Sequence, residues 1–274
     1  MRDQAALLRE MMARACPEPV PLQGPPVLVV GSGKGGVGKS VLAALVGVAL
    51  ADQGRRVLLF DADQNLGNLH VLLGVRPAAR LDALLEGEVT PEDLVRPVRA
   101  NLWLLPGDSG AESLYAMGPT ERARLHLRLS ALYDRFDAVI VDAGAGLEGV
   151  VRVSSMRATR LLVVTMPEPA ALTDAYALIK IVNLQVPDLP IDVVLNRTDA
   201  AEEGRDAFAR LATASERFLR RHLRYLGAIP DDPAVRRATR EPGRLLGGLR
   251  DSPAGALVRE LALDRLEWPM ATAP

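Results

Sequence analysis

The stretch GSGKGGVGKS at Gly31–Ser40 follows a short apolar run, Val27–Val30, and precedes a longer helix-like segment, Val41–Gln53. Glycines allow successive backbone N–H groups to turn inward around phosphate oxygens, and the N-terminus of a following helix adds partial positive charge. The Lys39 ammonium supplies a point charge for the β- and γ-phosphates, and the Ser40 hydroxyl can ligate Mg²⁺. The stretch therefore predicts a phosphate-binding loop with the candidate residues Gly33, Lys34, Gly35, Gly36, Val37, Gly38, Lys39 and Ser40.

Short apolar runs alternate with helix-like segments along the rest of the chain. Most of the runs are continuously apolar, which is typical of strands in a sheet that is covered on both faces. The predicted strands are Val27–Val30, Arg56–Phe60, Leu102–Leu105, Ala138–Val141, Leu161–Thr165, Asp192–Leu195 and Tyr225–Ala228. The predicted helices include Val41–Gln53, Ala171–Val182 and Glu202–Arg221. The alternation predicts an α/β fold with a doubly wound, mostly parallel sheet and helices on both faces.

The composition limits the classes of function. Lysine and arginine together number 33, but only three of these residues are lysine, and the formal net charge is −1. A net charge near zero argues against a protein that coats nucleic acid by bulk charge. A single cysteine, Cys16, excludes a disulfide framework and a cluster or zinc site built by this chain alone. Since no apolar run approaches the roughly 20 residues of a membrane-spanning helix, we expect a cytosolic protein.

The N-terminal region differs in composition from the rest. Residues 1–16 place Leu7, Leu8, Met11 and Met12 at helical spacing, which predicts a short amphipathic helix. Residues 17–26 contain five prolines and predict an extended tether, so the helix is either detachable or packed back on the body. We therefore divide the chain into this helix, the tether, a nucleotide-binding domain at 27–268 and a tail at 269–274.

Carboxylates follow two of the predicted strands. Asp61 and Asp63 follow Arg56–Phe60, and Asp142 follows Ala138–Val141. The carboxyl ends of parallel strands lie at the edge where such sheets bind ligands. A nucleotide site needs carboxylates for Mg²⁺ and for the attacking water, so these residues are candidates for both roles. The alternative is that they are surface carboxylates in turns.

Residues 34–40 match the signature Lys-Gly-Gly-x-Gly-Lys-Ser/Thr and resemble the deviant Walker A loop of the MinD/ParA-type ATPases. The resemblance implies slow ATP hydrolysis with ATP and Mg²⁺ as cofactors. It also implies a homodimer in which Lys34 reaches the partner's nucleotide, Asp63 orients the attacking water and Asn68 belongs to a loop that senses the γ-phosphate. The implied catalytic residues are Asp63, Lys34 and Lys39, and the implied metal-binding residues are Ser40, Asp61 and Asp142.

The base-binding residues are suggested by two strand ends. In the family that this chain resembles, an Asn-Arg pair contacts adenine, which points to Asn196 and Arg197, with residues 229–231 lining the other side. However, the spacing of Asn196 and Asp199 also resembles the guanine-reading loop of GTPases. We favour ATP over GTP.

Three further segments resemble one branch of this family, the FlhG (FleN, YlxH) regulators of flagellar number and placement. They are Asp-Gln-Ala-x-x-Leu-Arg at residues 3–9, Pro-Glu-Pro at 167–169 with the stretch 173–180, and the stretch 218–230. The resemblance implies that Gln4 stimulates FlhF, a GTPase of the signal-recognition-particle type. It also suggests flagellar basal-body proteins or a transcription activator as further partners.

Two alternatives concern surfaces. Arginines near the C-terminal end could bind DNA phosphates, as in ParA-type DNA-segregating ATPases, but four arginines within eight residues of a helix are more often a solvated face. They are the cluster Arg217, Arg220, Arg221 and Arg224, with Arg236, Arg237, Arg240 and Arg244 beyond it. Relatives often end in a basic amphipathic helix that holds the protein to the inner face of the membrane. The corresponding segment here, residues 254–268, has no excess of positive charge, so we expect it to pack on the body.

Overall fold

The computed structural model describes residues 24–63, 67–77, 83–84, 88–107, 127–144, 150 and 158–268. The strands are β1 Val27–Gly31, β2 Val57–Ala62, β3 Arg96–Arg99, β4 Leu102–Leu105, β5 Ala138–Ala143, β6 Arg160–Thr165, β7 Ile191–Thr198 and β8 Arg224–Pro230. The helices are α1 Lys39–Asp52, α2 Leu69–Leu73, α3 Pro91–Leu94, α4 Pro169–Gln185, α5 Ala201–Leu219, α6 Pro233–Ala238 and α7 Pro253–Glu260. A 3-10 turn at Arg244–Gly247 and a π-helical turn at Leu261–Arg265 complete these elements.

The predicted helix at 1–16, which includes Gln4, lies outside the described residues, as do most of the tether and the tail at 269–274. The division of the chain into four parts therefore stays a prediction.

The eight strands form one sheet in the order β3-β4-β2-β5-β1-β6-β7-β8. Every neighbouring pair is parallel except β3 and β4. The predicted α/β fold with a mostly parallel sheet is confirmed. Because β1 lies at the centre, the loop that follows it has the ends of β5 and β2 on one side and those of β6 and β7 on the other.

β3 is an element that the sequence reading missed. It contains Arg96, Pro97 and Arg99 and pairs antiparallel with β4 at one edge of the sheet. As an edge strand, β3 forms ladder hydrogen bonds with β4 alone among the described strands. Its side chains are only partly covered, so it has no continuous apolar run. Proline is tolerated at such an edge because its missing N–H costs no ladder bond there.

Helices cover both faces of the sheet. Alternate side chains of each central strand enter opposite cores: in β1, Leu28 and Val30 pack with α1, and Val27 and Val29 pack toward α4. Every residue of α1 from Leu42 to Ala51 is buried, since the sheet, α2, α7 and the C-terminal turns enclose it. A helix that is apolar all round is one that is buried all round, which explains the apolar run after the glycine-rich loop.

The C-terminal segment packs on the body, as predicted. Leu261 and Leu266 are each 3% exposed and join the core that contains α1, whereas Leu257 is partly exposed. The Trp268 indole N–H donates to the Ala262 carbonyl oxygen at 2.8 Å. Across the described part of the chain, no helix has both the length and the apolar character needed to cross a bilayer.

The four arginines do not lie on one helical face, so the prediction of a solvated helix face is wrong for Arg221 and Arg224. α5 ends at Leu219, and Arg220 adopts the left-handed conformation with φ 51°. The Arg221 guanidinium donates to the carbonyl oxygens of Pro187 and Leu189. Arg224 begins β8 and binds Asp192. Two of the four arginines therefore hold the fold together.

Asp192 anchors the amino ends of β6, β7 and β8. Its carboxylate, 1% exposed, accepts hydrogen bonds from Arg160 at 3.1 and 3.2 Å and from Arg224 at 2.8 and 2.9 Å. Glu267 binds the same two arginines from the C-terminal segment, but its side chain is 74% exposed. The buried carboxylate therefore carries most of the stabilisation in this group.

Replacing Asp192 by Asn should lower the free energy of unfolding by about 3 kcal/mol, because two guanidinium groups lose a buried counter-charge. The exposed Glu267→Gln change is the matched control and should cost less than about 1 kcal/mol. Denaturant unfolding followed by circular dichroism measures both values. Equal, small losses for the two variants would contradict this assignment.

Candidate nucleotide-binding site

The glycine-rich loop connects the end of β1 to the first residue of α1, as predicted. Gly36 and Gly38 have φ values of 80° and 94°, a backbone region that favours glycine. At Gly38 a Cβ atom would also lie 2.3 Å from Nδ2 of Asn196, so glycine is required there for space as well. Lys34 is exposed at the tip of the loop.

Lys39 lies beside Asp142, 103 residues further along the chain. The Lys39 Nζ atom is 2.5 Å from Oδ1 of Asp142, and both side chains are buried. The Ser40 side chain also lies near Asp142 and lowers the pKa of this carboxylate. Burial raises the pKa of Asp142 above its usual value, and the ammonium of Lys39 only partly offsets this rise. A hydroxyl and a carboxylate together at a phosphate-binding loop fit the oxygen ligands that Mg²⁺ prefers.

Asp61 is completely buried and lies directly opposite Asp142 in the pairing of β2 with β5. Its Oδ2 accepts from the Leu69 N–H at 3.0 Å, and its Oδ1 accepts from the Asp63 N–H at 3.2 Å. Burial and the negative charge of Asp142 raise the pKa of Asp61 to about 7. Asp61 therefore fixes the start of α2, while its predicted part in the magnesium shell stays a prediction.

Asp63 follows the end of β2 and lies close to Gly144, which follows β5. A Cβ atom at Gly144 would lie 3.2 Å from Oδ1 of Asp63, so glycine leaves room for this carboxylate. Asn68 is exposed at the residue that precedes α2. The structure thus brings Asp63, Asn68 and the loop to one edge of the sheet, as the strand ends predicted, and their roles stay predictions.

A pocket opens beside the loop, on the side of β7 and β8. The cavity holds about 70 Å³, less than the roughly 300–1,000 Å³ of most small-molecule sites, and it opens to solvent. Its walls come from α1, the ends of β7 and β8, α6 and α7. The lining residues are Gly38, Val41, Leu42, Leu45, Asn196, Arg197, Ile229, Pro230, Asp231, Asp232, Val235, Arg236, Thr239, Ala254 and Val258. The chemistry of its lining, apolar with a few polar groups next to a phosphate-binding loop, is the chemistry that a nucleotide base needs.

Asn196 and Arg197 both line this pocket, as predicted for base-binding residues. The Asn196 Nδ2 atom donates to the Val37 carbonyl oxygen at 2.7 Å and so ties the pocket to the loop. Arg197 has φ 55° and lies at a bulge where the register between β7 and β8 shifts. Bulges of this kind re-aim side chains next to binding sites.

Asp199, which the guanine interpretation requires, is exposed and is not among the lining residues of the pocket. Its backbone N–H donates to the Glu203 carboxylate. The lining of this pocket therefore gives no support to the guanine interpretation, and adenine stays a prediction.

The sequence reading missed the contribution of Asp232 and α7 to this pocket. Asp232 precedes Pro233, and an aspartate before a proline at the first helical position is a helix-start signal. That signal would have placed a helix after the Ile-Pro turn. No local sequence pattern indicates that Ala254 and Val258 line the same pocket.

Comparison with known proteins agrees with this geometry. The family model described as the CobQ/CobB/MinD/ParA nucleotide binding domain matches residues 28–242. The antiactivator FleN of Pseudomonas aeruginosa is 36% identical over 90% of this chain and 89% of its own length. The flagellum site-determining protein YlxH of Helicobacter pylori is 33% identical over 88% of this chain and 85% of its own length.

The septum site-determining protein MinD of Pyrococcus horikoshii, solved in complex with Mg-ADP, superposes with a TM-score of 0.69 at 28% identity. The match covers 86% of this chain and 94% of that protein. The sheet, the loop and both curated relatives lead to the same assignment. The chain belongs to the CobQ/CobB/MinD/ParA family of nucleotide-binding domains.

Proposed function

We propose that this protein is an ATP-dependent dimerising switch with slow ATPase activity that regulates flagellar number or placement. The observation that carries the nucleotide part is the convergence of Lys39, Ser40 and Asp142 beneath a loop that adjoins an apolar pocket. The flagellar part rests on the similarity to YlxH and FleN over most of their length.

The residues of the site would divide the work as follows. Lys39 would exchange Asp142 for the β- and γ-phosphates, which releases Asp142 to serve Mg²⁺ together with Ser40. Mg²⁺, when bound, neutralises phosphate charge. Asp63 would orient the attacking water near Gly144. The exposed Lys34 would complete the nucleotide site of a second copy, so that hydrolysis separates the dimer and ends its signal.

Replacing Lys34 by Ala should abolish most ATP-dependent dimerisation. Because each copy of the homodimer contributes one Lys34, the variant loses two charge-assisted hydrogen bonds of about 1.5–3 kcal/mol each, which raises the dimer dissociation constant by roughly a hundredfold or more. The matched control is Lys180→Ala, which removes an exposed lysine on α4. Light scattering with ATP and Mg²⁺ measures the molar mass, and equal dimerisation by both variants would overturn the role of Lys34.

Replacing Asp63 by Ala should slow ATP hydrolysis by about a hundredfold or more, the usual range for losing a positioned proton acceptor. Dimers should persist with ATP, because the phosphate-binding residues are unchanged. Asp199→Ala, at an exposed carboxylate outside the pocket, should retain the parent rate. A monomeric Asp63→Ala protein in the presence of ATP would contradict the mechanism.

We further propose that the N-terminal segment acts on a GTPase of the FlhF type through Gln4. This rests on the motif at residues 3–9 and on the proline-rich stretch that separates it from β1. A stretch of ten residues that is rich in proline reaches up to about 30 Å, far enough to present a segment to a partner.

Replacing Gln4 by Ala should remove the stimulation of GTP turnover by the FlhF-type partner and leave ATP-dependent dimerisation unchanged. The chain offers Gln23→Ala, in the proline-rich stretch, as a control that should stimulate fully. A phosphate-release assay with the purified GTPase measures both. Full stimulation by Gln4→Ala would remove this assignment.

DNA segregation is the second candidate, and the structure weakens the feature that suggested it. Of the arginines at 217, 220, 221 and 224, the last two are engaged in contacts within the fold. A phosphate backbone would therefore meet a smaller basic surface than the sequence suggests.

A further inference from the structure

One wall of the base pocket is formed by the C-terminal part of the chain. Ala254 and Val258 of α7 face the pocket together with Leu42 and Leu45 of α1. Both α7 residues are at most 2% exposed and belong to the core around α1. A base in the pocket would therefore lie against α7 as well as against the phosphate-binding helix.

Asp232 joins this wall to the other side of the pocket. Its Oδ1 accepts from the Ala234 N–H at 2.7 Å, and its Oδ2 accepts from the Ala254 N–H at 3.1 Å. The Ser252 hydroxyl lies near this carboxylate and accepts a hydrogen bond from the Gly255 N–H at 3.0 Å. One carboxylate, 7% exposed, thus caps the first turns of both α6 and α7.

The protonation state of the Asp232 carboxylate agrees with a capping role. Burial alone would raise the pKa of Asp232, but the N–H groups of Ala234 and Ala254 and the Ser252 hydroxyl outweigh it and lower that pKa. Asp232 is therefore ionised near neutral pH, the form that accepts hydrogen bonds at both oxygens.

We propose that Asp232 is a positioning residue that makes the base pocket and residues 253–268 one cooperative unit, so that a bound base stabilises this C-terminal segment. This inference rests on the proposed function, since it takes the occupant to be the base of an adenine nucleotide. It goes beyond that function because it predicts a response far from the phosphates.

The energetics favour such coupling. α7 has only eight residues, and isolated helices of that length are marginal in water, so α7 depends on its cap and on the packing of Ala254 and Val258. A ligand that contacts the folded form of a segment stabilises it by mass action. The phosphates, held by the loop at the other end of the site, make no such contact.

ADP carries both the base and phosphates, whereas pyrophosphate carries phosphates alone. A comparison of the two ligands, each with Mg²⁺, therefore isolates the effect of the base and does not require ATP-dependent dimers. Hydrogen exchange followed by mass spectrometry should show at least fivefold slower exchange at 253–268 with ADP. Pyrophosphate should protect the loop at 31–39 alone. Equal protection of 253–268 by both ligands, or none with bound ADP, overturns the inference. Failure of ADP to bind overturns the proposed function, and this inference with it.

Variants at position 232 distinguish coupling from general stability. Asp232→Ala should weaken ADP binding by about tenfold, leave pyrophosphate affinity within about twofold and abolish the protection of 253–268 by ADP. Asp232→Asn keeps one acceptor oxygen and should give intermediate effects. The exposed neighbour provides a control, Asp251→Ala, that should behave as the parent protein. Equal weakening of ADP and pyrophosphate by both position-232 variants would show a merely structural role.

Discussion

The pairing of Lys39 with Asp142 is the interaction on which the architecture of the site depends. The lysine begins the helix that follows the central strand β1, and the aspartate lies near the end of the neighbouring strand β5. Their 2.5 Å contact is buried, so each charge is tolerated only because the other is present. The pair therefore fixes the start of α1 over the end of β5. It also keeps the Lys39 ammonium at the loop, where a phosphate group could replace Asp142 as its partner.

Among the described residues, the same edge carries more negative than positive buried charge. Asp61 lies across from Asp142, and one buried ammonium faces these two buried carboxylates. Burial and the nearby charge of Asp142 disfavour the ionised form of Asp61, and its pKa rises to about 7. A cation bound at this edge would relieve the excess.

Most of the fold could be predicted because buried parallel strands give continuous apolar runs. Six of the eight described strands contain such a run, and the carboxylates at the ends of β2 and β5 lie where parallel strands bind ligands. The sequence pattern does not predict β3, because β3 is a polar edge strand that contains Pro97. The arginines after Leu219 were misread because helix continuation was assumed, while contacts to Pro187 and Leu189 depend on chain segments that periodicity does not relate.

The site could be predicted only where its residues are local in sequence. The loop at 31–40 and the strand-end residues fall into this class. The role of Asp61 at the start of α2 and the return of α7 to the pocket depend on tertiary packing. Hydrophobic pattern shows that α7 is amphipathic, but it does not say what its apolar face covers.

The scarcity of lysine has a chemical consequence. The chain contains three lysines, and their surroundings differ sharply: Lys39 is buried against Asp142, whereas Lys34 and Lys180 are exposed. Acylating reagents attack the neutral amine of accessible lysines and scarcely react with a buried, ion-paired ammonium. The described part of the protein therefore offers two accessible lysine side chains for amine-directed labels, one of them at the tip of the phosphate-binding loop. A cross-linker or fluorophore would reach that loop with little competition from the arginine-rich remainder of the surface.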